Sequence, residues 1–563
     1  MNQLDWIVLI TTLAGIMAYG IYKSRTTRNL DGYFLSNRSM PWWLVLLSIM
    51  GTQASAVTFL AAPGQAYTDG MRFVQYYFGL PLVAIVVCIT FIPVFTRLKL
   101  ITAYEYLETR FDSKTRTFTS LLFLIQRGLS TGISIFAPSI ILSTLLDWNI
   151  YWTNLFMGGL LIIYTVTGGA RAVAYTQQLQ LVIIFAGMFI AGYYVVNHLP
   201  ENVGFTDALE VGGKLGRMNV ITTGFTEGKG FDWGDRYNII SGMIGGFFLL
   251  LSYFGADQSQ VGRYLTARSM TESRIGVLMN GIVKVPMQFL ILLVGILVFT
   301  FYQFHQAPAF FNQKELTRLE QSPHKQELVQ LQERQQVIQE QKKIVLTEYG
   351  VNQSDQSIEQ LRVLQSSSDS IRKAVQTLVK RNGGDDNDTN YIFLRFVIDY
   401  LPVGLVGLLI AIIFLASWGS IAAALNSLAS STVIDFHKRF SRKEATEEQD
   451  YRVSKWYTLG WGLFCMAVAM FASNIGNSLI EAVNLLGSLF YGTILGVFLV
   501  AFYCKSVKGT AVFAGAIVAE LLVVLLFMLN EYDVIGLGFL WLNAIGALAV
   551  VGFSYVAKLF WKT

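Results

Sequence analysis

The chain has 563 residues, 53% of them hydrophobic and only 14% charged, with a formal net charge of +5. Soluble domains carry about 25% charged residues, so this composition excludes an ordinary soluble protein. Three cysteines and four histidines, none at metal-ligand spacing, predict neither a disulfide framework nor a transition-metal site.

A bilayer-spanning helix needs about 20 mostly apolar residues. About thirteen segments meet that need, near 4–22, 41–68, 73–96, 117–146, 151–168, 172–197, 237–256, 275–304, 392–433, 456–474, 482–503, 509–529 and 534–557. The first lacks a basic flank and a small-residue cleavage site, so it reads as a retained helix rather than a signal peptide. The ninth is too long for one perpendicular pass and predicts a kink or a cytoplasmic extension. Basic clusters follow odd-numbered segments: Arg38 after the first, Arg97 and Arg110 after the third, Arg263 and Arg268 after the seventh, Lys438 and Arg439 after the ninth, Lys505 and Lys508 after the eleventh. Basic loops stay cytoplasmic. The pattern predicts thirteen crossings with the N-terminus outside and the C-terminus inside, in the plasma membrane (the inner membrane of a Gram-negative cell).

The second segment carries a polar interruption, Gly51-Thr52-Gln53-Ala54-Ser55-Ala56. Unwound backbone at membrane depth is tolerated only where protein or a water-filled cavity satisfies its polar groups. Transporters place ions and substrates at such breaks. Five segments later, segment seven carries Gly242, Gly245 and Gly246 and ends in Ser252-Tyr253-Phe254-Gly255-Ala256-Asp257-Gln258. Interrupted helices at matching places in two five-helix halves predict an inverted repeat.

The boundaries follow: residues 1–40 as a peripheral helix and cytoplasmic loop, 41–197 as the first repeat, 198–236 as an external loop, and 237–304 as the start of the second repeat. Residues 305–391, rich in Gln, Glu, Lys and Ser with apolar residues at helical spacing, predict an external helical hairpin. Residues 392–505 complete the second repeat, and 506–563 supply two peripheral helices.

Segment nine contains Ala416-Ser417-Trp418-Gly419-Ser420. A hard cation needs a cage of oxygens in place of its water. Freed carbonyls at Gly51 and Ala54, the Ala416 carbonyl and the Ser420 hydroxyl are candidates; close helix packing by small residues is the other reading. Beside the break, Thr52, Gln53 and Ser55 are candidate substrate contacts. Arg127, mid-segment, reads either as a clamp for an anionic substrate or as one half of a structural ion pair. Lys284 reads as structural or gating, and Tyr77 and Tyr253 as aromatic gates or ordinary packing. No nucleotide-binding or nucleic-acid motif is present, and no nucleophile–base–orienter set suggests an enzyme.

Several spaced motifs resemble the sodium/solute symporter family: Pro41-Trp42-Trp43, Ser55-Ala56-Val57-Thr58-Phe59, Tyr104-Glu105-Tyr106-Leu107-Glu108-Thr109-Arg110-Phe111, Asp257-Gln258 through Arg263-Tyr264-Leu265, and Leu425-Asn426-Ser427 running to Asp435. The resemblance runs to about residue 505 apart from the insert. It implies an all-α, LeuT-like five-plus-five bundle with one helix before and two after. It also implies sodium at Gly51, Ala54, Ala416, Gly419 and Ser420, with Gly419 standing where relatives carry a hydroxyl. Members with a second sodium carry an aspartate after a Trp-Thr pair; here that stretch reads Tyr175-Thr176-Gln177, implying one sodium per cycle. Sugar-transporting members use polar side chains where this chain has Thr58, Tyr77, Leu80 and Leu250, and the two leucines argue against a galactose-type site. The pattern is closer to the thirteen-helix monocarboxylate, vitamin and iodide branch. The expectation is a sodium-coupled importer of a small organic solute, an organic anion first, with no cofactor beyond Na+. A neutral sugar or vitamin, or a transporter-like sensor, are the alternatives. Sodium, the solute and the lipid bilayer are the expected partners, and an external partner for the 305–391 insert is left open.

Overall fold

The structure, a computed structural model, describes residues 2–24, 30–201, 203–226, 228, 230–352, 355–440, 446–472 and 478–560. It is almost entirely helical, because a chain in lipid must satisfy its backbone polar groups within each segment. The helices of the first half are α1 (Gln3–Ser24), α2 (Trp42–Gln53), α3 (Ala56–Asp69), α4 (Leu80–Val86, extended through a π turn to Arg97), α5 (Ser113–Leu146), α6 (Ile150–Val166) and α7 (Ala172–Asn197). The second half begins with α8 (Ile239–Gly255), α9 (Gln258–Tyr264) and α10 (Met270–Phe304). Among the described residues, nine helices are long and apolar enough to cross a bilayer, or ten counting the bent pair α8–α9.

Helical conformation is continuous from Ile150 to Asn197. Yet the Tyr164 hydroxyl lies 2.6 Å from Thr176 Oγ1, twelve residues on. A straight helix would separate them by about 18 Å, so the chain bends sharply between α6 and α7.

The insert forms α11 (Lys325–Asn352) and α12 (Asp355–Arg381), two antiparallel helices with a small core around Leu328, Val375 and Leu378. The hairpin docks on the helical bundle. Gln339 Nε2 donates to the Tyr302, Gln303 and His305 carbonyls at 2.6–3.0 Å, capping the end of α10. Lys342 is 2% exposed between the two helices, its Nζ 2.7 Å from Gln365 Oε1. Burial lowers its amine from 10.5 to about 8, against the pull of Asp369. The unfolded chain therefore holds the extra proton between about pH 8 and 10.5, and hairpin stability rises with pH through that window. Hydrogen exchange across α11 and α12 is expected to slow between pH 7 and 10 after correction for intrinsic rates, and Lys342→Met is expected to remove that trend.

The overlong ninth segment is broken, the kink that was one of the two readings of its length: a short α13 (Ile392–Tyr400) precedes α14 (Leu405–Ser431). Pro402 cannot continue a helix, and Gly404 takes φ +90, a conformation that favours glycine. Asp5 of α1 closes the gap, its Oδ1 accepting from the Gly404 amide at 2.6 Å and the Gly407 amide at 3.2 Å. The remaining helices are α15 (Glu447–Phe471), α16 (Leu479–Tyr503), α17 (Gly509–Glu531) and α18 (Leu540–Phe560). The apolar stretch of the span containing α14 is 89% buried, against 22% for that of α1 and 28% for that of α17. α14 packs on α2, α5 and α7 and is the centre of the bundle.

Candidate functional site

The sequence break is a real loss of winding. α2 ends at Gln53; Ala54 takes φ −81, ψ 78 and Ser55 is extended before α3 begins. The Ser55 amide turns to the Gln53 carbonyl at 3.0 Å, and the Thr58 amide to the Ser55 carbonyl at 3.0 Å. In a helix these amides would serve Gly51 and Ala54, so both carbonyls lose their i+4 donor. Thr58 Oγ1 donates to the Gln53 carbonyl at 3.2 Å and staples the two halves. Gly51 itself lies within α2, so the interruption is narrower than the six-residue polar run.

Ala54, Ala416 and Ser420 are all buried in the bundle. The Ser420 hydroxyl donates within its own helix, 3.1 Å from the Ala416 carbonyl and 3.0 Å from the Ser417 carbonyl. Its lone pairs stay available to a cation, and back-bonding of this kind loosens a helix locally. The Ser417 hydroxyl is fully buried and has no partner among the described residues. Freed carbonyls on one element and hydroxyls on another supply the neutral oxygens that a small monovalent cation takes. Among the described residues no group of His, Cys, Asp and Glu could hold another metal.

Gly419 is filled from outside. A Cβ there would lie 2.6 Å from Gln180 Oε1, and one on Gly51 would lie 2.8 Å from Gln177 Cγ. Both glycines make room for glutamines of α7.

Beside the break lies a cavity of about 110 Å³. Gln53, Ser55, Thr58, Tyr77, Arg127 and Tyr253, candidate contacts in the sequence reading, line it. Thr52 and Lys284 do not. The Thr52 hydroxyl turns into α2 and toward Gln177, donating to the Ser48 carbonyl at 2.8 Å. Lys284 is 1% exposed, its Nζ without a hydrogen-bond partner among the described residues and 5.4 Å from the Tyr77 ring centre. It reaches the cavity only through that ring. Leu250 also lines the wall, making that patch apolar.

Arg127 forms the structural ion pair that was one of the two readings of its sequence position. Its Nη2 donates to Asp257 Oδ2 and to the Tyr491 hydroxyl, the latter at 3.1 Å, and its guanidinium lies 5.4 Å from the Tyr253 ring centre. Its Nε has no partner among the described residues. Asp257 stands where segment seven breaks between α8 and α9. Its Oδ1 accepts from the Ser259 amide at 2.7 Å as the cap of α9, and its Oδ2 accepts from Tyr491 at 2.6 Å. One carboxylate thus ties the second break to α5 and α16.

Sequence reasoning missed this pairing, although Asp257 lay inside the quoted break motif. A lone arginine in one span calls for a buried acid in another, and Asp257 was the acid at the matching break. It also missed Gln126 and Asn484 in the cavity wall. Gln126 Oε1 and Asn484 Nδ2 are buried without partners among the described residues.

The family model described as "Sodium:solute symporter family" matches residues 33–324 and 371–519. The gap falls on α11 and α12. The chain is 25% identical to the sodium/sialic acid symporter NanT of Aliivibrio fischeri over 100% of its own length and 94% of that protein's. It is 28% identical to a sodium-dependent multivitamin transporter of Oryctolagus cuniculus over 92% of this chain and 70% of that one. Its fold matches that of a Na+-coupled sialic acid symporter solved in a substrate-bound outward-open state, with a TM-score of 0.75 at 22% identity, covering 99% of this chain and 98% of that chain. The broken helices and the family model's match over most of the chain lead to one conclusion: this chain belongs to the sodium:solute symporter family.

Proposed function

We propose that this sodium-coupled symporter carries a compact organic anion. The anion sits in the cavity beside the break while sodium occupies the junction of α2, α3 and α14 at Gly51, Ala54, Ala416 and Ser420. The observation that supports this reading is the unused Nε of Arg127, with the unused Nδ2 donor of Asn484 in the same cavity wall. A guanidinium already paired with Asp257 still offers donors to a carboxylate. The pair leaves the wall near neutral, so an entering anion adds −1 and sodium +1. In a low-dielectric site each then favours the other. That mutual effect is the coupling free energy that symport requires. The cavity is smaller than the 300–1,000 Å³ common for drug-sized ligands, which favours a small solute in this conformation.

The likeness to sialic acid and multivitamin transporters is compatible with a carboxylate-bearing substrate. Thirteen crossings, an external N-terminus and an external hairpin complete the proposed topology. α1 and α14 meeting through Asp5 at their N-terminal ends supports both helices starting on one side.

Sodium-gradient uptake in proteoliposomes tests the substrate class. Small carboxylates are expected to accumulate and to compete with one another. Accumulation of neutral sugars or vitamins, with carboxylates ignored, would overturn the anion reading. Ser420→Ala is expected to raise the half-saturating sodium concentration about fivefold, the effect of losing one ligand of about 1 kcal/mol. An unchanged sodium dependence would remove Ser420 from the site.

A further inference from the structure

We infer that Gln177 is a covalent stand-in for a second cation, limiting this symporter to one sodium. The inference rests on the sodium junction proposed above. Gln177 is fully buried near the start of α7, just after the chain bends. Its side chain reaches across to two other elements. Nε2 donates to the Gly419 carbonyl of α14 at 3.1 Å and to the Thr52 hydroxyl of α2 at 3.3 Å. Oε1 accepts from the Ser48 hydroxyl at 3.0 Å.

The amide orientation follows from its neighbours. Thr52 spends its own proton on the Ser48 carbonyl, so it can only accept from Gln177. A carbonyl likewise only accepts. Two oxygens from two helices therefore converge on one positive pole. That arrangement is half the shell of an alkali ion, and here the pole is an uncharged amide that cannot dissociate.

The neighbouring residues are shaped for this bridge. A Cβ on Gly51 would lie 2.8 Å from both Gln177 Cβ and Cγ, and one on Gly419 would lie 3.1 Å from Cγ. Glycine at each place lets the amide sit between α2 and α14. Both Nε2 protons and Oε1 are then in use, and the corner has no vacancy for an ion. The α2–α7–α14 corner stays closed whether or not sodium is bound, and the sodium site is confined to the Ala54, Ala416 and Ser420 side.

Glutamate at this position would be nearly isosteric. It removes both donors and places a carboxylate against the Gly419 carbonyl, a repulsive contact that a cation between them would relieve. Purified protein and radioactive sodium alone provide the test. The wild-type protein is expected to bind one sodium per chain with a Hill coefficient near 1. Q177E is expected to bind a second, with the Hill coefficient rising toward 2. Two sodium ions bound to the wild-type protein would overturn the inference, whatever the variant does. So would a folded Q177E that binds one sodium with unchanged steepness. Q177M keeps the bulk without donors or charge, and is expected to gain no second ion; two ions there would also overturn the inference. Failure of the sodium junction itself would appear differently, as Ser420→Ala leaving the single sodium untouched.

Discussion

Asp257→Ala is expected to destabilise the protein by about 3–5 kcal/mol, the usual cost of removing one partner from a buried ion pair, and to abolish uptake. Asp257 is 1% exposed and serves four groups: the Arg127 guanidinium, the Tyr491 hydroxyl, and the Ser259 amide and hydroxyl. Its loss strands a guanidinium that keeps only the Tyr491 hydroxyl, strips the cap from α9 and unties the second break from α16. Thermal unfolding in detergent gives the stability, and proteoliposome uptake gives the function. The double variant Arg127→Met/Asp257→Ala separates the two. Removing both charges is expected to recover much of the lost stability, because an apolar replacement of a buried pair is often near neutral. Uptake is expected to stay absent, because the anion's donor is gone. A double variant that transports normally would show that the pair only holds the fold.

Asp388→Ala is expected to be as costly outside the membrane, where it would loosen the hairpin. Asp388 is fully buried and pairs with Arg372 of α12, whose Nε lies 3.2 Å from Oδ1 and 3.3 Å from Oδ2. It also accepts from the Phe311 amide at 2.8 Å. The Arg372 guanidinium lies 5.9 Å from the Tyr67 ring centre on α3. Next to Asp388, the Thr389 carbonyl would lie 2.0 Å from a Cβ on Gly64, so α3 and the insert are in close contact. Loss of the carboxylate leaves Arg372 buried without its counter-charge, again at about 3–5 kcal/mol. Hydrogen exchange is expected to accelerate across α11 and α12 while α14 stays protected. α3 is the half of the broken helix that meets the insert, so slower uptake with unchanged sodium affinity is also expected. Unchanged exchange would show that the pair does not hold the hairpin.

The sequence carried most of the fold. Apolar runs separated by basic loops locate helices because lipid leaves no other use for such a run. Its interruption by Gly51, Thr52, Gln53 and Ser55 marked a break because polar backbone at that depth needs a cavity. The helical hairpin was visible in its apolar periodicity. Gln53, Ser55, Thr58 and Tyr253 of the cavity wall followed from their nearness to the two breaks, and Arg127 from being a charge inside a span. The length of the ninth segment called for a kink but not for its place at Pro402 and Gly404, because length alone does not say which end of a long segment bends.

Pairing across distant spans was decided only by the tertiary structure. Asp257 meets Arg127 across 130 residues, and Gln177 meets Gly419 across 242. Local pattern determines which residues are buried. It does not determine which buried polar atoms share a partner, because that depends on how helices far apart in sequence are rotated and stacked. In this protein the chain by itself determined the helices, the breaks and the family motifs. Packing alone decided that two glycines would admit a glutamine amide, and that a cavity arginine would hold an aspartate with a donor still free. A hydrogen bond needs both ends within about 3 Å, and only the assembled bundle sets that distance.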